Sequence, residues 1–518
     1  MAIMSNENAE SLDAISRVYR DMSQNTIPPE SALPPDFRSK LEDPGISNNG
    51  HLPDSPEPDA PPDLSGDNSA DNHRLPGDLT DTGNADRLVR LFRDRLRWVG
   101  EWGWLFYDGK RWAHDRADLV LRFAKQTARN IYREAAEASD DNRTKNLASW
   151  AGKSLNKSRL DAMVDLARPE LPARPEDFDT DPMVLNVRNG LLDLRTGELL
   201  PHSREQMVTK LAGAAYDPAA KCPTFEGFLE RVLVEHETID FVWRAVGYSL
   251  TGEVSEQALF FLYGNGANGK TTFCRAILNV LGDYGKQAAP QFLMIGDRHP
   301  TEIADLRGAR FVCTIEIEEG RFMAEVLTKQ LTGGDILKAR FMRQDFFQFE
   351  PTHKIFLASN HKPVIRGTDH AIWRRIRLVP FEVTIPEAEQ DPGLGDKLRA
   401  ELPGILTWAV RGCLEWQRTG LAIPQKVRQA TDAYREEMDI LATFLEECCI
   451  VNSLASVTAG VLYSAYKLWA EQNSEHPITH RAFSARLQER GFSASTRDGA
   501  GRAVIFGIGL LAKDGENA

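Results

Sequence analysis

The stretch ALFFLYGNGANGKTTF, residues 258–273, holds the most chemically specific spacing in the chain. Gly264, Gly269, Lys270 and Thr271 satisfy the pattern G-x-x-x-x-G-K-[ST], with Asn265, Gly266, Ala267 and Asn268 filling the loop. Glycines let a backbone curl until successive N–H groups converge on phosphate oxygens. Lys270 would then reach the β and γ phosphates, and the Thr271 hydroxyl would ligate magnesium. A helix opening at this loop aims the positive end of its dipole at the same anion. The implied ligands are ATP and Mg2+.

Such a site also needs carboxylates. The apolar run ARFVCTIEIEEG ends in Glu316, Glu318 and Glu319. A strand alternation of two places Glu316 and Glu318 on one face and Glu319 on the other. One glutamate should orient magnesium or its water and a neighbour act as base, and spacing leaves open which does which. A further apolar run, HKIFLASN, ends in Asn360, whose amide can order an attacking water. In HAIWRRIRLVPF, Arg374 and Arg375 precede another apolar run. An arginine reaching a neighbouring subunit's γ-phosphate stabilises charge in the transition state.

Other cations suit nucleic acid. After the turn Thr332-Gly333-Gly334-Asp335, Lys338, Arg340 and Arg343 flank Phe341. Cations for phosphates and an aromatic ring for a base face are the parts of a single-strand groove. Near the C-terminus, ITHRAFSARLQERGF reads as a helix bearing His480, Arg481 and Arg486. STRDGAGRAVIFGIGL then reads as a hairpin with Arg497 and Arg502. A helix followed by a hairpin fits a winged-helix-like module that grips duplex DNA.

Apolar runs alternating with helical patterns over 258–385 predict an α/β domain with a largely parallel sheet, placing the acidic and amide residues at strand ends beside the glycine loop. Ahead of it, Leu88, Leu91 and Phe92 predict a helix, and WGWLFYDGKRW predicts a hairpin turning at Asp108-Gly109. MVLNVRNGLLDLRTGEL predicts short strands turning at Asn189-Gly190 and Thr196-Gly197. The expected domains are an acidic, proline-rich disordered tail at 1–82 and an α-rich domain at 83–235. A P-loop ATPase domain at 236–400, a connecting helix at 401–425 and a helical domain ending in a hairpin at 426–518 follow.

Composition sets the limits. Of the 28 prolines, 11 fall within the first 80 residues, where too little apolar area exists to offset the entropy of ordering. A short amphipathic helix at ESLDAISRVYRDMS is the exception to that reading. The net charge of −13 is concentrated in residues 1–85, which hold 16 acidic and 5 basic residues. The rest is near neutral, so nucleic acid is not excluded as a partner. No run of apolar residues is long enough to span a membrane, and no secretory signal opens the chain. The six cysteines lack CxxC spacing, which fits a reducing, cytoplasmic compartment.

Together, NGLLDLRTGEL, GYSLTG, GNGANGKTTF, EIEEG, KQLTGGDILKARFM, FLASNHKPVIRGTD, AIWRRIRLVPF and VRQATDAYREEMDILATFLEECC resemble the superfamily 3 helicases. The likeness is to the helicase part of phage and plasmid primase-helicases related to the poxvirus primase-helicase. That resemblance implies an AAA+-like ATPase assembled as a ring, expected to be a hexamer, acting on single-stranded and forked DNA in a bacterial host cytoplasm. It implies a helical collar over about 85–250, Glu318-Glu319 as the acidic pair with Glu318 towards the metal, Arg375 ahead of Arg374 as the trans-acting arginine, and a channel hairpin after Lys329. Larger relatives carry a primase domain before the collar. The 80 polar residues here are too few for one, so a helicase served by a separate primase is expected. An origin-binding initiator with a regulatory ATP site, or a P-loop ATPase that is not a helicase, are the alternatives.

Overall fold

The computed structural model describes residues 78–296, 300–343, 345–365, 370–473 and 477–511. Nearly all of the predicted tail, with its amphipathic stretch, lies outside the described residues. The chain divides into two compact units, one ending at Asp177 and the other beginning at Phe178.

In the first unit, α1 (Asp81–Phe92) starts where the Thr80 hydroxyl accepts a hydrogen bond from Gly83 N. It buries Ala85, Leu88 and Phe92, while Leu91 faces outward because it falls between the turns of that stripe. The strands β1 (Leu96–Val99), β2 (Gly103–Tyr107) and β3 (Trp112–His114) form an antiparallel sheet. Asp108 Oδ1 accepts from the backbone N–H of both Lys110 and Arg111 and so closes the predicted β2–β3 turn. Helices α2 (Leu119–Glu137), α3 (Asp141–Ser154) and α4 (Lys157–Ala167) complete the unit. Its core gathers Leu88, Phe92, Leu96, Phe123 and Met163.

The second unit opens with a meander of β4 (Val184–Val187), β5 (Gly190–Asp193) and β6 (Glu198–Leu200). Val187 pairs with Gly190, so the first turn is Arg188-Asn189, one residue earlier than expected, and Gly190 already belongs to the strand. Helices α5 (Pro223–Leu233) and α6 (His236–Ser249) follow. Next come β7 (Leu259–Tyr263), α7 (Lys270–Leu281), β8 (Gly285–Gln287), α8 (Pro300–Ala304) and β9 (Phe311–Ile315). Helix α9 (Glu325–Gly333) leads into the hairpin β10 (Leu337–Ala339) and β11 (Phe347–Phe349). Then come β12 (Lys354–Ser359), α10 (His370–Trp373) and β13 (Ile376–Pro380).

Strands β13-β7-β12-β9-β8, in that order, make one sheet in which every pair is parallel. Both faces are covered, as a parallel sheet requires. Phe260 and Leu262 enter one core and Leu259 and Phe261 the other, because successive side chains of β7 point to opposite faces.

The first core shows why the 235/236 boundary drawn from sequence does not mark the edge of the compact unit. Leu185, Val187, Leu192, Phe225, Leu229 and Leu233 pack with the sheet residues Phe260 and Phe356. Two buried cations reinforce this. Arg310 donates to Leu250 O at 2.6 Å and Val184 O at 2.7 Å, and Lys354 donates to Glu253 O and Thr251 O, capping the end of α6.

Helix α11 (Leu394–Ala400) precedes α12 (Leu402–Thr419), which is a core helix and not a connector. It meets α6 where Gly247 and Gly412 allow backbone contact. A Cβ on Gly247 would lie 2.1 Å from Cys413 N, and one on Gly412 2.4 Å from Trp243 O. Helix α13 (Gln425–Glu437), assigned from sequence to the C-terminal domain, also belongs to this body. Its Tyr434 is buried against Phe261 and Trp373 and donates to Pro363 O.

The remaining residues form α14 (Ile440–Cys448), β14 (Cys449–Thr458), α15 (Ala459–Gln472), α16 (His480–Glu489), β15 (Ala494–Arg497) and β16 (Ala503–Leu510). The predicted hairpin is β15–β16, and β14 adds a third strand that the helical reading missed. Leu441, Phe444, Tyr466, Phe483 and Ile508 are its separate core. No cysteine is bridged, and no helix among the described residues is long and apolar enough to cross a membrane.

Candidate nucleotide site and nucleic-acid hairpin

The glycine loop leaves the C-terminal end of β7 and enters α7, at the end of the sheet where parallel α/β folds hold ligands. Its motif positions answer to local sterics. A Cβ on Gly264 would meet Phe381 O at 2.0 Å. Gly269 has φ +86° and sits against the Phe228 ring, so both conformation and space exclude a side chain. Ala267 also takes a left-handed φ, +57°.

A cavity of about 200 Å³ opens here, walled by the loop from Gly266 to Thr271 and by Glu316, Ser359 and Asn360. Lys270 is 6% exposed, and its ammonium donates to Gly264 O (2.7 Å), Asn265 O (3.2 Å), Asn268 Oδ1 (2.9 Å) and Asn360 Oδ1 (2.8 Å). Burial pulls its pKa down to about 8, against the opposing pull of Cys274 and Glu316. Asn268 has a second role that the motif does not reveal. Its Nδ2 donates to Phe381 O at 3.0 Å, tying the lysine's partner to the segment just beyond β13.

The three glutamates separate. Strand β9 stops at Ile315 and Glu316 turns to φ +64°, so strand alternation does not continue through Glu318. Glu316 alone of the three lines the cavity, fixed by its N–H on Ala358 O at 2.9 Å. Glu318 is turned to Arg321, with one hydrogen bond from Nε at 2.8 Å, and Glu319 is exposed. Ser359, absent from the sequence reading, accepts from His361 N at 3.0 Å and Ile317 N at 3.4 Å, holding the acidic and amide loops together.

The two arginines differ in exposure. Arg375 is 8% exposed and donates to Ala371 O, while Arg374 is exposed and donates to Gln257 Oε1 at 2.7 Å. Arg374 thus projects from the surface and Arg375 does not.

On the β10–β11 hairpin, Lys338 and Arg340 are exposed and both lie over the ring of Phe346, at 5.0 and 4.8 Å. Phe346 is half exposed. Phe341, the aromatic singled out from sequence, instead stacks on Phe347 with ring centres 5.5 Å apart. Arg343 is exposed at the tip with φ +61°. In the C-terminal module, Arg481 is exposed and Arg486 half-buried on α16, and His480 packs edge-on against Tyr463. Arg502 is ion-paired to Asp498 within the β15–β16 turn, and Arg497 is exposed.

Fold and site thus define a parallel α/β domain with a lysine-bearing glycine loop and an acid and an amide at adjacent strand ends. Residues 85–234 match the family profile described as D5 N terminal like, and residues 262–375 match a family of unknown function. The chain is 24% identical over 327 residues to a protein of Acanthamoeba polyphaga mimivirus named as a helicase, covering 57% of this chain and 34% of that one. It is 28% identical over 280 residues to a helicase-named protein of Frog virus 3 (49% and 28% covered). It is 24% identical over 334 residues to a primase-named protein of African swine fever virus (58% and 34% covered). The solved C-terminal region of NrS-1 is similar with a TM-score of 0.36 at 9% identity, over 56% of this chain and 78% of that one. The chain matches about a third of the length of these viral relatives. These similarities are to D5-like primase-helicases.

Proposed function

We propose that the chain is the ATP-hydrolysing motor of a DNA helicase, translocating on single-stranded DNA during replication of a phage, plasmid or viral genome. The observation that carries this is the convergence of Lys270, Glu316 and Asn360 on one cavity at the end of β7. In this reading the loop N–H groups and Lys270 hold the β and γ phosphates, and Lys270 exchanges its bonds to Asn268, Asn360 and the loop carbonyls for phosphate oxygens. Thr271 and Glu316 border the cavity and are the residues that would hold magnesium, directly or through its waters. No cluster of three or more His, Cys, Asp or Glu residues among the described ones could hold a metal alone. That suits magnesium, which keeps waters and substrate phosphates as ligands. Magnesium supplies neutralisation of phosphate charge. Glu316 orients and deprotonates the attacking water, and Asn360, released by Lys270, positions it. Arg374 acts on a neighbouring subunit in a ring, expected to be hexameric, and the β10–β11 hairpin grips the strand.

The test is hydrolysis of ATP with magnesium, with and without single-stranded DNA, for the wild type and Lys270→Ala. Hydrolysis that DNA stimulates and the substitution abolishes is expected. Undiminished turnover by folded Lys270→Ala overturns the site. Slow hydrolysis that ignores DNA points instead to a regulatory nucleotide.

A further inference from the structure

A second cavity, of about 250 Å³, lies between the start of β13 and helix α13. Four arginines wall it: Arg374 and Arg377 from the strand side, Arg428 and Arg435 from the helix. Arg428 and Arg435 are two turns apart on one helical face. Neighbouring cations are neutralised, Lys426 by Glu235 and Glu382 and Lys362 by Glu437. The four arginines lack such close partners: among the described residues no carboxylate lies within ion-pair distance of any of them, although Asp432 shares the wall and the Glu256 charge acts on Arg377 from farther off. Arg374 bonds a neutral amide, and Arg377 bonds two backbone carbonyls and keeps a buried Nε without a partner. The guanidinium groups of Arg428 and Arg435 make no hydrogen bond among the described residues. Like charges gathered this way repel unless an anion joins them.

The nucleotide cavity has the opposite deficit. Among the described residues Lys270 is the sole cation in its walls, and it would face Glu316 and the several negative charges of a triphosphate. The arginines cannot supply their own chain's site. Ile376 is in register with Leu259, at the start of β7, whereas the glycine loop follows Tyr263 at its end. At about 3.3 Å per residue the two sites are separated by roughly 15 Å of strand. Strand β13 is also a sheet edge, so its start opens away from the remaining strands.

We propose that this pocket takes the phosphates of a nucleotide held in the glycine loop of a second copy of the chain. Arg428 and Arg435 thereby join Arg374 and Arg377 in completing that site. The inference rests on the nucleotide reading above. It adds a helix, α13, and two residues to which the sequence reading gave no role.

Arg428→Ala/Arg435→Ala removes two exposed side chains, and Arg428→Lys/Arg435→Lys keeps their charge. ATP hydrolysis is measured across protein concentration, together with affinity for a fluorescent ATP analogue in dilute chains and affinity for single-stranded DNA. The alanine pair should lose at least ~10-fold in hydrolysis, with analogue affinity changed less than about twofold and the lysine pair intermediate. Mixing the alanine pair with Lys270→Ala chains, the first impaired and the second inactive alone, should raise hydrolysis above that of either. The intact loop of one then meets the intact arginines of the other. Wild-type hydrolysis by the alanine pair overturns the proposal, as does absence of restoration in mixtures shown by sedimentation to co-assemble. Loss confined to DNA affinity overturns it in favour of nucleic-acid phosphates. Wild-type hydrolysis by Lys270→Ala alone would refute the nucleotide reading itself, a result distinct from these.

Discussion

At the scale of single residues, Lys270 gives a prediction with a definite sign. Burial lowers its pKa from 10.5 to about 8, so the free fold holds its proton less firmly than the unfolded chain. Its contribution to stability therefore rises with pH between about 8 and 10.5. A triphosphate binds the charged form, so nucleotide affinity should be full below pH 8 and fall above it. Titration calorimetry near pH 8.5 in two buffers of different ionisation enthalpy should show proton uptake on binding. Zero uptake would mean that Lys270 stays fully charged in the free chain. The acidic loop gives the second prediction. Glu316→Gln should lower kcat for ATP by ~10²-fold or more with KM little changed. Glu318→Gln should stay near wild type, because its carboxylate serves Arg321. Equal losses in both variants would return the role to the pair that the resemblance implied.

Elements place these residues, and two of them can be tested apart from the nucleotide. The β10–β11 hairpin presents Lys338 and Arg340 stacked on one ring, so phosphates should be gripped without regard to base sequence. Removing both cations should reduce the salt slope of single-strand binding by about 1.4, at ~0.7 per contact. Basal hydrolysis should persist. Phe346→Ala should weaken the same binding through lost stacking, by about 1–3 kcal/mol if a base lies on the ring. An unchanged slope with normal unwinding would place the DNA path elsewhere. The α6–α12 crossing depends on Gly247, where a methyl would collide with the backbone at Cys413. Gly247→Ala should cost about 1–3 kcal/mol, read as a lower urea midpoint at unchanged slope. An unchanged midpoint would mean that the helices part without penalty.

For the whole molecule, the catalytic candidates and the cores found among the described residues lie beyond residue 77. The first 77 residues carry the acidic excess and the prolines but no catalytic motif. Deleting residues 1–77 should leave ATP hydrolysis and unwinding within about twofold of the full chain, by steady-state assay, since a segment this rich in proline and acidic residues has too little apolar area to contribute a core. Loss of both activities in a soluble, assembled truncation would give the segment a role that composition hides. The family profile at 85–234 runs across the division between the compact units at 177/178. A match in sequence therefore does not imply one rigid body. The meander β4–β6 and helix α5 are covered by the profile yet packed on the five-stranded parallel sheet.

Sequence alone carried the glycine loop, the alternation of strands and helices, and the strand ends bearing an acid and an amide. Each depends on local geometry: a short loop that needs small residues, a period of two or near 3.6, a polar residue where an apolar run stops. The three-dimensional fold decided what depends on direction and distance. Glu316 and not Glu318 reaches the cavity because the chain turns to a positive φ after Ile315, and alternation has no force beyond the last paired residue. Arg374 and Arg375 are neighbours that a motif cannot separate, yet one is packed inward beneath α10 and the other emerges. Phe346 rather than Phe341 meets Lys338 and Arg340 because the hairpin brings Phe341 onto Phe347. Arg428 and Arg435 stand more than 50 positions from Arg374 in a helix read as part of another domain. Only the packing of α13 against β13, sealed by Thr431 Oγ1 accepting from Leu378 N at 3.0 Å, brings the four cations to one cavity.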